Sequence, residues 1–436
     1  MAYTQPILDY GCSIFMNANK KYLSHLDTIH HMGIRLISRA LKSSPVNSLY
    51  AESAILPLSV RRRLLFSNII AKVSADQTNP LFNILFNNYH LNKFEADDIN
   101  ITYKNQPLIY YYQKQNPLYI YPNKIIPIQI VVPPWIIPSP DVNYLINDKK
   151  SNISCIEIKN KYLEILQIYT DFTLCFTDGS KTDSNTGFAF IINNENFQYR
   201  LPHEASIFTA EALAIFYCIK KISDMKIKKA IIFSDNKSVL NGIDNIQQRN
   251  NIIQLIKQEY YFASTNGSQI SFMWIPSHSN IALNDKADQL AKNSINSKLL
   301  DFYIQDDLKN HLRKNIVKLY NDQWTNIQNN KLRTIKDNTT LWKTSLRKIR
   351  NEEILLTRLR IGHTRITHSY LFTKTPHPIC TCGFPLTVKH IFECNKYKKF
   401  REKLSLPSIE IALSDNENMA EKTIKYMKMI NLYSKV

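Results

Sequence analysis

Hydrophobic positions change their period several times along this chain. In "KKYLSHLDTIHHMGIRLISRAL" Leu23, Leu26, Ile29 and Ile34 fall at helical spacings, which predicts a helical opening that runs to about residue 88. Pro107, Pro117, Pro122, Pro127, Pro133, Pro134, Pro138 and Pro140 then forbid a regular helix and predict an extended linker at a domain boundary. From Phe172 the pattern becomes short apolar runs separated by amphipathic ones. "FTLCFTD", "TGFAFII" and "NFQYRLP" predict three successive strands, "TAEALAIFYCIKKI" a helix and "KKAIIFSD" a strand. "NKSVLNGI" and "NNIIQLIKQEYYFAS" predict helices, "QISFMWIPSH" a strand and "LNDKADQLAKNS" a last helix. Strands alternating with helices are the α/β signature. Beyond Leu299 the chain is helical and basic. The organisation expected is a helical segment over 1–105, a Pro-rich linker over 106–165, an α/β domain over 166–298, a basic helical region over 299–370, a Cys/His segment over 371–400 and a tail over 401–436.

Composition narrows the partners. The chain has 436 residues, 44% of them hydrophobic, which suits several globular cores, and its formal net charge of +19 calls for a polyanion. Nucleic acid fits better than a membrane surface, because no apolar run is long enough to span a bilayer and no membrane partner is expected. The N-terminus lacks a charged region followed by an apolar one, so an intracellular protein, nuclear or cytoplasmic, is expected. Of seven cysteines, Cys12, Cys155, Cys175 and Cys218 are scattered among apolar neighbours and read as small buried hydrophobes. Cys380, Cys382 and Cys394 crowd together instead.

One position on a strand departs from the apolar rule. Asp178 ends the run "CFTD", and a carboxylate there is costly unless it is hydrogen-bonded or does chemistry. Three further acids stand in comparable places: Glu211 on an apolar helix, Asp235 where a strand meets its loop, and Asp288 on the last helix. Brought together, four such charges would repel unless divalent cations held them, and hard oxygen donors select Mg²⁺, with Mn²⁺ as substitute.

These blocks resemble the type 1 ribonuclease H family. The resemblance is carried by "FTDGS", "TAEALAI", "FSDNKSVL" and "WIPSHSNIALNDKADQLAK", in the family's order. It implies a ribonuclease H-like mixed sheet with flanking helices, preceded and followed by mainly helical segments. It also implies an endonuclease that cuts the RNA strand of RNA/DNA hybrids with two Mg²⁺ ions on Asp178, Glu211, Asp235 and Asp288. His278 matches the family's loop histidine, which assists proton transfer or product departure. The loop departs from the family: Asn280 and Leu283 stand at glycine positions and Asp285 replaces a Glu, which predicts backbone strain there. A nucleic-acid-binding module with a decayed nuclease site is the alternative.

The flanks add two features. "ICTCGFPLTVKHIFEC" spaces Cys380, Cys382, His390 and Cys394 as three thiolates and one imidazole, a donor set for tetrahedral Zn²⁺, with His377 as a fallback nitrogen. Residues 313–365 hold thirteen Lys or Arg against four Asp or Glu, which fits phosphate contact. "LDYGC", "PPWIIP" and "RLRIGH" with the cysteine cluster resemble the C-terminal part of a non-LTR retrotransposon polyprotein of the jockey type. "FEADD", at 94–98, is read as a solvated acidic loop and not as a polymerase box.

Overall fold

The computed structural model describes residues 3–16, 18–86, 124–127, 131–146 and 153–436. The "FEADD" segment and most of the Pro-rich stretch lie outside them. The chain forms two compact units, one of residues 68–312 and one that joins 1–67 to 313–436.

The first unit is built on a six-stranded sheet in the order β1-β6-β5-β2-β3-β4. Its strands are β1 (Asp141–Tyr144), β2 (Thr173–Lys181), β3 (Thr186–Ile192), β4 (Glu195–Leu201), β5 (Lys229–Ser234) and β6 (Gln269–Trp274). β2, β3 and β4 form an antiparallel meander, while β5, β6 and β1 join β2 in parallel. The helices that flank the sheet among the described residues include α1 (Cys155–Ile168), α2 (Ile207–Asp224), α3 (Lys237–Asp244), α4 (Asn251–Thr265) and α5 (Ala282–Lys292).

Alternation of side chains along the strands sorts the core onto two faces. Cys175, Phe188, Phe190 and Ile232 pack with Ala214, Ile215, Ile253 and Ile256 on the side of α2 and α4. Phe176, Ile191, Ile231 and Phe233 pack with Ile158 and Ala287 on the side of α1 and α5. A sheet buried on both faces needs near-continuous apolar runs, which the sequence has at "TGFAFII" in β3 and at "AIIF" in the parallel strand β5.

Two elements come from the stretch expected to be linker, 106–165. β1 adds a sixth strand beside β6, and α1 covers one face of the sheet. The four residues "DVNY" alternate polar and apolar, but a run of four is too short for its period to announce a strand. Cys155, expected to be buried, is exposed at the start of α1.

The second unit draws its core from both flanking parts of the chain. Ile34, Leu49, Tyr50 and Val60 from the chain's start share one core with Ile316, Tyr320 and Ile361. A further core joins Leu355, Leu356 and Leu359 to Val388, Ile391 and Phe392 and to Ile424, Tyr426 and Met427. Helices of these lengths bury too little apolar surface alone and gain stability by sharing it. No described helix is long and apolar enough to cross a membrane.

Candidate active site

The register of β2 against β5 creates the site. Thr177 pairs with Ser234 as the last rung between the two parallel strands, so the next residues, Asp178 and Asp235, emerge side by side where the β2–β5 ladder ends. Ligands of α/β sheets gather at such ends. Glu211 arrives from below on α2, whose N-cap Ser206 accepts from Thr209 N–H. The approach is close because residue 179 is glycine: a Cβ there would lie 2.6 Å from the Glu211 backbone nitrogen.

Asp178, Glu211 and Asp235 bring carboxylate oxygens within 4.8 Å of one another. Asp178 and Glu211 are 4% and 5% exposed, and Asp178 Oδ2 and Glu211 Oε2 have no hydrogen-bond partner among the described residues. Burial, with Asp235 and Asp288 nearby, pushes the Asp178 carboxyl up to about 8. Burial and the charges of Asp178 and Asp235 also raise Glu211 well above the usual carboxylate range, against hydrogen bonds from Asn236 and the Gly179 backbone. Unpaired buried oxygens aimed at each other are destabilising unless a cation enters between them. The donor set is all hard oxygen, so it fits Mg²⁺ or Mn²⁺.

The cleft above these acids has a volume of about 300 Å³, and all five predicted residues line it, Asp178, Glu211, Asp235, Asp288 and His278. Asp288 does not join the close group of three: its Oδ2 accepts from Lys292 Nζ at 2.6 Å, one turn along α5. His278 is exposed at the rim. Strain in its loop falls at Asn280, as expected, and at His278, but not at Leu283. Leu283 is a helical residue of α5 with no positive φ, while Asn280 has φ 56° and His278 φ 50°. Asparagine tolerates the left-handed region better than other non-glycine residues, so Asn280 replaces the expected glycine at modest cost. Asp285 opens α5 and lines the same cleft.

Sequence reasoning missed the residues that brace Asp235. Trp274 Nε1 donates to the Asp235 carbonyl at 3.0 Å, Lys237 lies over the Trp274 and Tyr144 rings at 4.9 and 5.3 Å, and Tyr144 Oη donates to Asn241 Oδ1 at 2.6 Å. Tyr144 belongs to the unforeseen strand β1, so its role could not be read. The Asp288–Lys292 pair stands at an i,i+4 spacing, a signal that the sequence reading did not use.

In the second unit Cys380, Cys382, His390 and Cys394 converge within 4.8 Å. Cys380 Sγ and Cys382 Sγ lie 3.9 and 3.7 Å from Cys394 Sγ, and Cys382 Sγ lies 3.1 Å from His390 Nε2. A tetrahedron with Zn–S bonds of about 2.3 Å has sulfur–sulfur edges of about 3.8 Å, so the donors fit Zn²⁺. Gly383, at φ 87°, turns the chain back after the first two ligands, and Thr387 caps the helix Val388–Glu393 that presents His390. Burial raises Cys380, but hydrogen bonds from the Cys382 backbone and the three other donors outweigh it and hold the thiol down to about 6. His377 stands outside the cluster, its ring 4.7 Å from that of Tyr370.

The family model for RNase H matches residues 170–296, so an RNase H domain occupies that span, with the four carboxylates and His278 inside it. Among solved structures the chain is similar to the N-terminal RNase H domain of a Mycobacterium tuberculosis protein, solved as a fusion with maltose-binding protein. The identity is 14%, the match covers 28% of this chain and 98% of that one, and the TM-score is 0.25. No curated protein sequence matches.

Proposed function

We propose that the protein is a type 1 ribonuclease H that hydrolyses the RNA strand of RNA/DNA hybrids. The observation that carries this reading is the pair of buried oxygens, Asp178 Oδ2 and Glu211 Oε2, left without partners beside Asp235. Asp178, Glu211, Asp235 and Asp288 would hold two Mg²⁺ ions, or Mn²⁺ in their place. Bound there, such ions supply positive charge to the attacking and leaving oxygens of a phosphodiester. Asp178 and Glu211, protonated more readily than ordinary acids without metal, give up their protons to become ligands. Exposed on the rim, His278 is placed to move a proton as product departs. Selection of hybrid over DNA duplex follows from contacts to 2′-hydroxyls and to the mixed groove shape.

The second unit binds Zn²⁺ through Cys380, Cys382, His390 and Cys394, and the chain as a whole corresponds to the C-terminal part of a non-LTR retrotransposon polyprotein. The test of the nuclease reading is cleavage of an end-labelled hybrid across a Mg²⁺ and Mn²⁺ titration. Hybrid that is bound and stays uncut at every metal concentration would leave the decayed binding module in its place.

A further inference from the structure

All of the chain's excess charge lies in one unit. Residues 1–67 and 313–436 carry 32 Lys or Arg against 13 Asp or Glu, a net +19, whereas residues 68–312 carry 23 of each. The unit with the nuclease-like cleft therefore has no general attraction for a polyanion, and the other unit has a strong one.

Within the charged unit, rings and cations gather at one place. The imidazoles of His363 and His368 stack with centroids 3.7 Å apart, Tyr370 lies 6.4 Å from His368, and His377 continues the line. Lys331 Nζ stands 3.5 Å from His368 Nε2, and its stem lies against Gly362, where a Cβ would come within 2.6 Å of Lys331 Cδ. Arg358 donates to the Arg39 carbonyl at 2.9 and 2.7 Å and feels the charges of Arg365 and Arg39. The charges acting on the two histidines are also positive, and burial with Lys331 beside them keeps both rings neutral at pH 7. Three acids of the unit are engaged elsewhere, Glu52 with Arg360, Glu353 with Arg350 and Glu417 with Arg347. On the short helix Tyr370–Thr373, Leu371 and Phe372 are 50% and 49% exposed.

Neutral rings and half-exposed apolar side chains beside uncompensated cations are what unstacked bases and their phosphates require. A duplex hides its base faces and offers phosphates and groove edges, so it would leave the rings unused. We propose that the surface formed by Lys331, His368, Tyr370, Phe372 and Arg365 binds single-stranded nucleic acid, with bases stacked on the rings and phosphates held by the cations. This goes beyond the nuclease reading, since a single strand is no hybrid and its binding is measured without cleavage.

The test is fluorescence anisotropy of the full chain with a labelled DNA single strand of roughly 20 nucleotides, longer than a typical single-strand site, and with a blunt duplex of the same length. Phe372→Ala and Tyr370→Leu, each checked for an unchanged melting temperature, are expected to weaken single-strand binding about tenfold with the salt dependence unaltered. Arg365→Gln combined with Lys374→Gln, the exposed C-cap residue of the helix Tyr370–Thr373, is expected to flatten the log–log salt slope by about 1.4. Lys425→Gln, an exposed charge on the helix Glu417–Met429, should leave affinity within about twofold. Three results would overturn the proposal: folded protein that ignores the single strand, ring variants that bind it as well as the wild type, or equal losses on the blunt duplex.

Discussion

Arg360 and Glu52, 308 residues apart in sequence, meet in the interior of the second unit, with Arg360 Nη1 donating to Glu52 Oε1 at 3.2 Å. Their side chains are 0% and 4% exposed. The guanidinium spends its other donors on the carbonyls of Leu413 and Ser414 and on the hydroxyls of Thr344 and Ser345. Lys336 Nζ, fully buried over the Trp342 ring, stands 4.0 Å from the second Glu52 oxygen. One acid from the chain's first helices thus balances two buried cations from its C-terminal third.

Removing that acid exposes the arrangement to its largest cost. Glu52→Ala leaves Arg360 and Lys336 as buried charges with only the weaker influence of Asp415, and breaking buried pairs in this way costs roughly 3–5 kcal/mol. Burial already lowers the Lys336 ammonium to about 8, with Glu52 opposing the shift. Urea unfolding of the variant, followed through Trp342, should show a loss of that size. A loss below about 1 kcal/mol would mean that Glu52 is not the counter-charge.

The α/β domain was legible because its buried strands are apolar runs, with Asp178 inside one and Asp235 just past another. "TGFAFII" is buried at every position, and Asp178 is the one acid in a run whose neighbours are buried. What escaped the sequence is non-local. β1 gains its identity only from pairing with β6, and Glu52 reads as an ordinary helical acid until Arg360 is brought beside it. Asp288 was legible as a member of the site, yet its engagement by Lys292 depends on rotamers that no spacing fixes.

Asp178→Asn separates catalysis from folding. The amide keeps the shape and removes the charge needed to hold cations, so hybrid cleavage should fall by several orders of magnitude while hybrid binding persists. Since the carboxyl is raised to about 8, the folded metal-free protein at pH 9 carries a charge it resists, and the variant should melt higher than the wild type there. A lower melting temperature, or residual cleavage within tenfold of wild type, would falsify the assigned role.

Chelation should act on the other unit. So short a segment as 379–395 holds little core of its own, and closure by Zn²⁺ would fix Cys380, Cys382, His390 and Cys394 together. Purified protein is expected to carry one zinc per chain. Cys382→Ser should lose it, and amide exchange in 379–395 should rise. Full zinc content in the Cys382→Ser protein would exclude this donor set.

Acid should move the two units in opposite directions when no metal is bound. Burial and neighbouring His31 hold His30 near 4, burial and His368 hold His363 near 3, and burial and Lys331 hold His368 near 4, all below the ordinary value of 6.5. Groups depressed on folding contribute stability that is present above about 6.5 and is lost as pH falls toward those values. Asp178 is raised to about 8, so its contribution is full below about 4 and is lost as pH climbs through 8. From pH 8 to pH 5, amide protection relative to the intrinsic exchange rate should rise in β2 and α2 and fall around 358–368. Parallel changes in both regions would contradict the assigned burial.

Lys292 offers the finest test of the site's charge. Its ammonium holds Asp288 and is raised by that bond, while its charge lowers Asp178. Lys292→Met removes a cation that competes for Asp288 and makes the cleft more negative, which should tighten the apparent Mg²⁺ requirement of cleavage at pH 9. An exposed pair is worth about 1 kcal/mol or less, so the gain should be about fivefold or less. The same loss removes a charge that favours ionised Asp178, so the acid limb of the pH–rate profile should move to higher pH. Both shifts come from one ammonium, and they oppose each other below pH 8, where the variant gains least. A variant with a lower Mg²⁺ requirement at every pH and an unmoved acid limb would show that Lys292 acts on Asp288 alone.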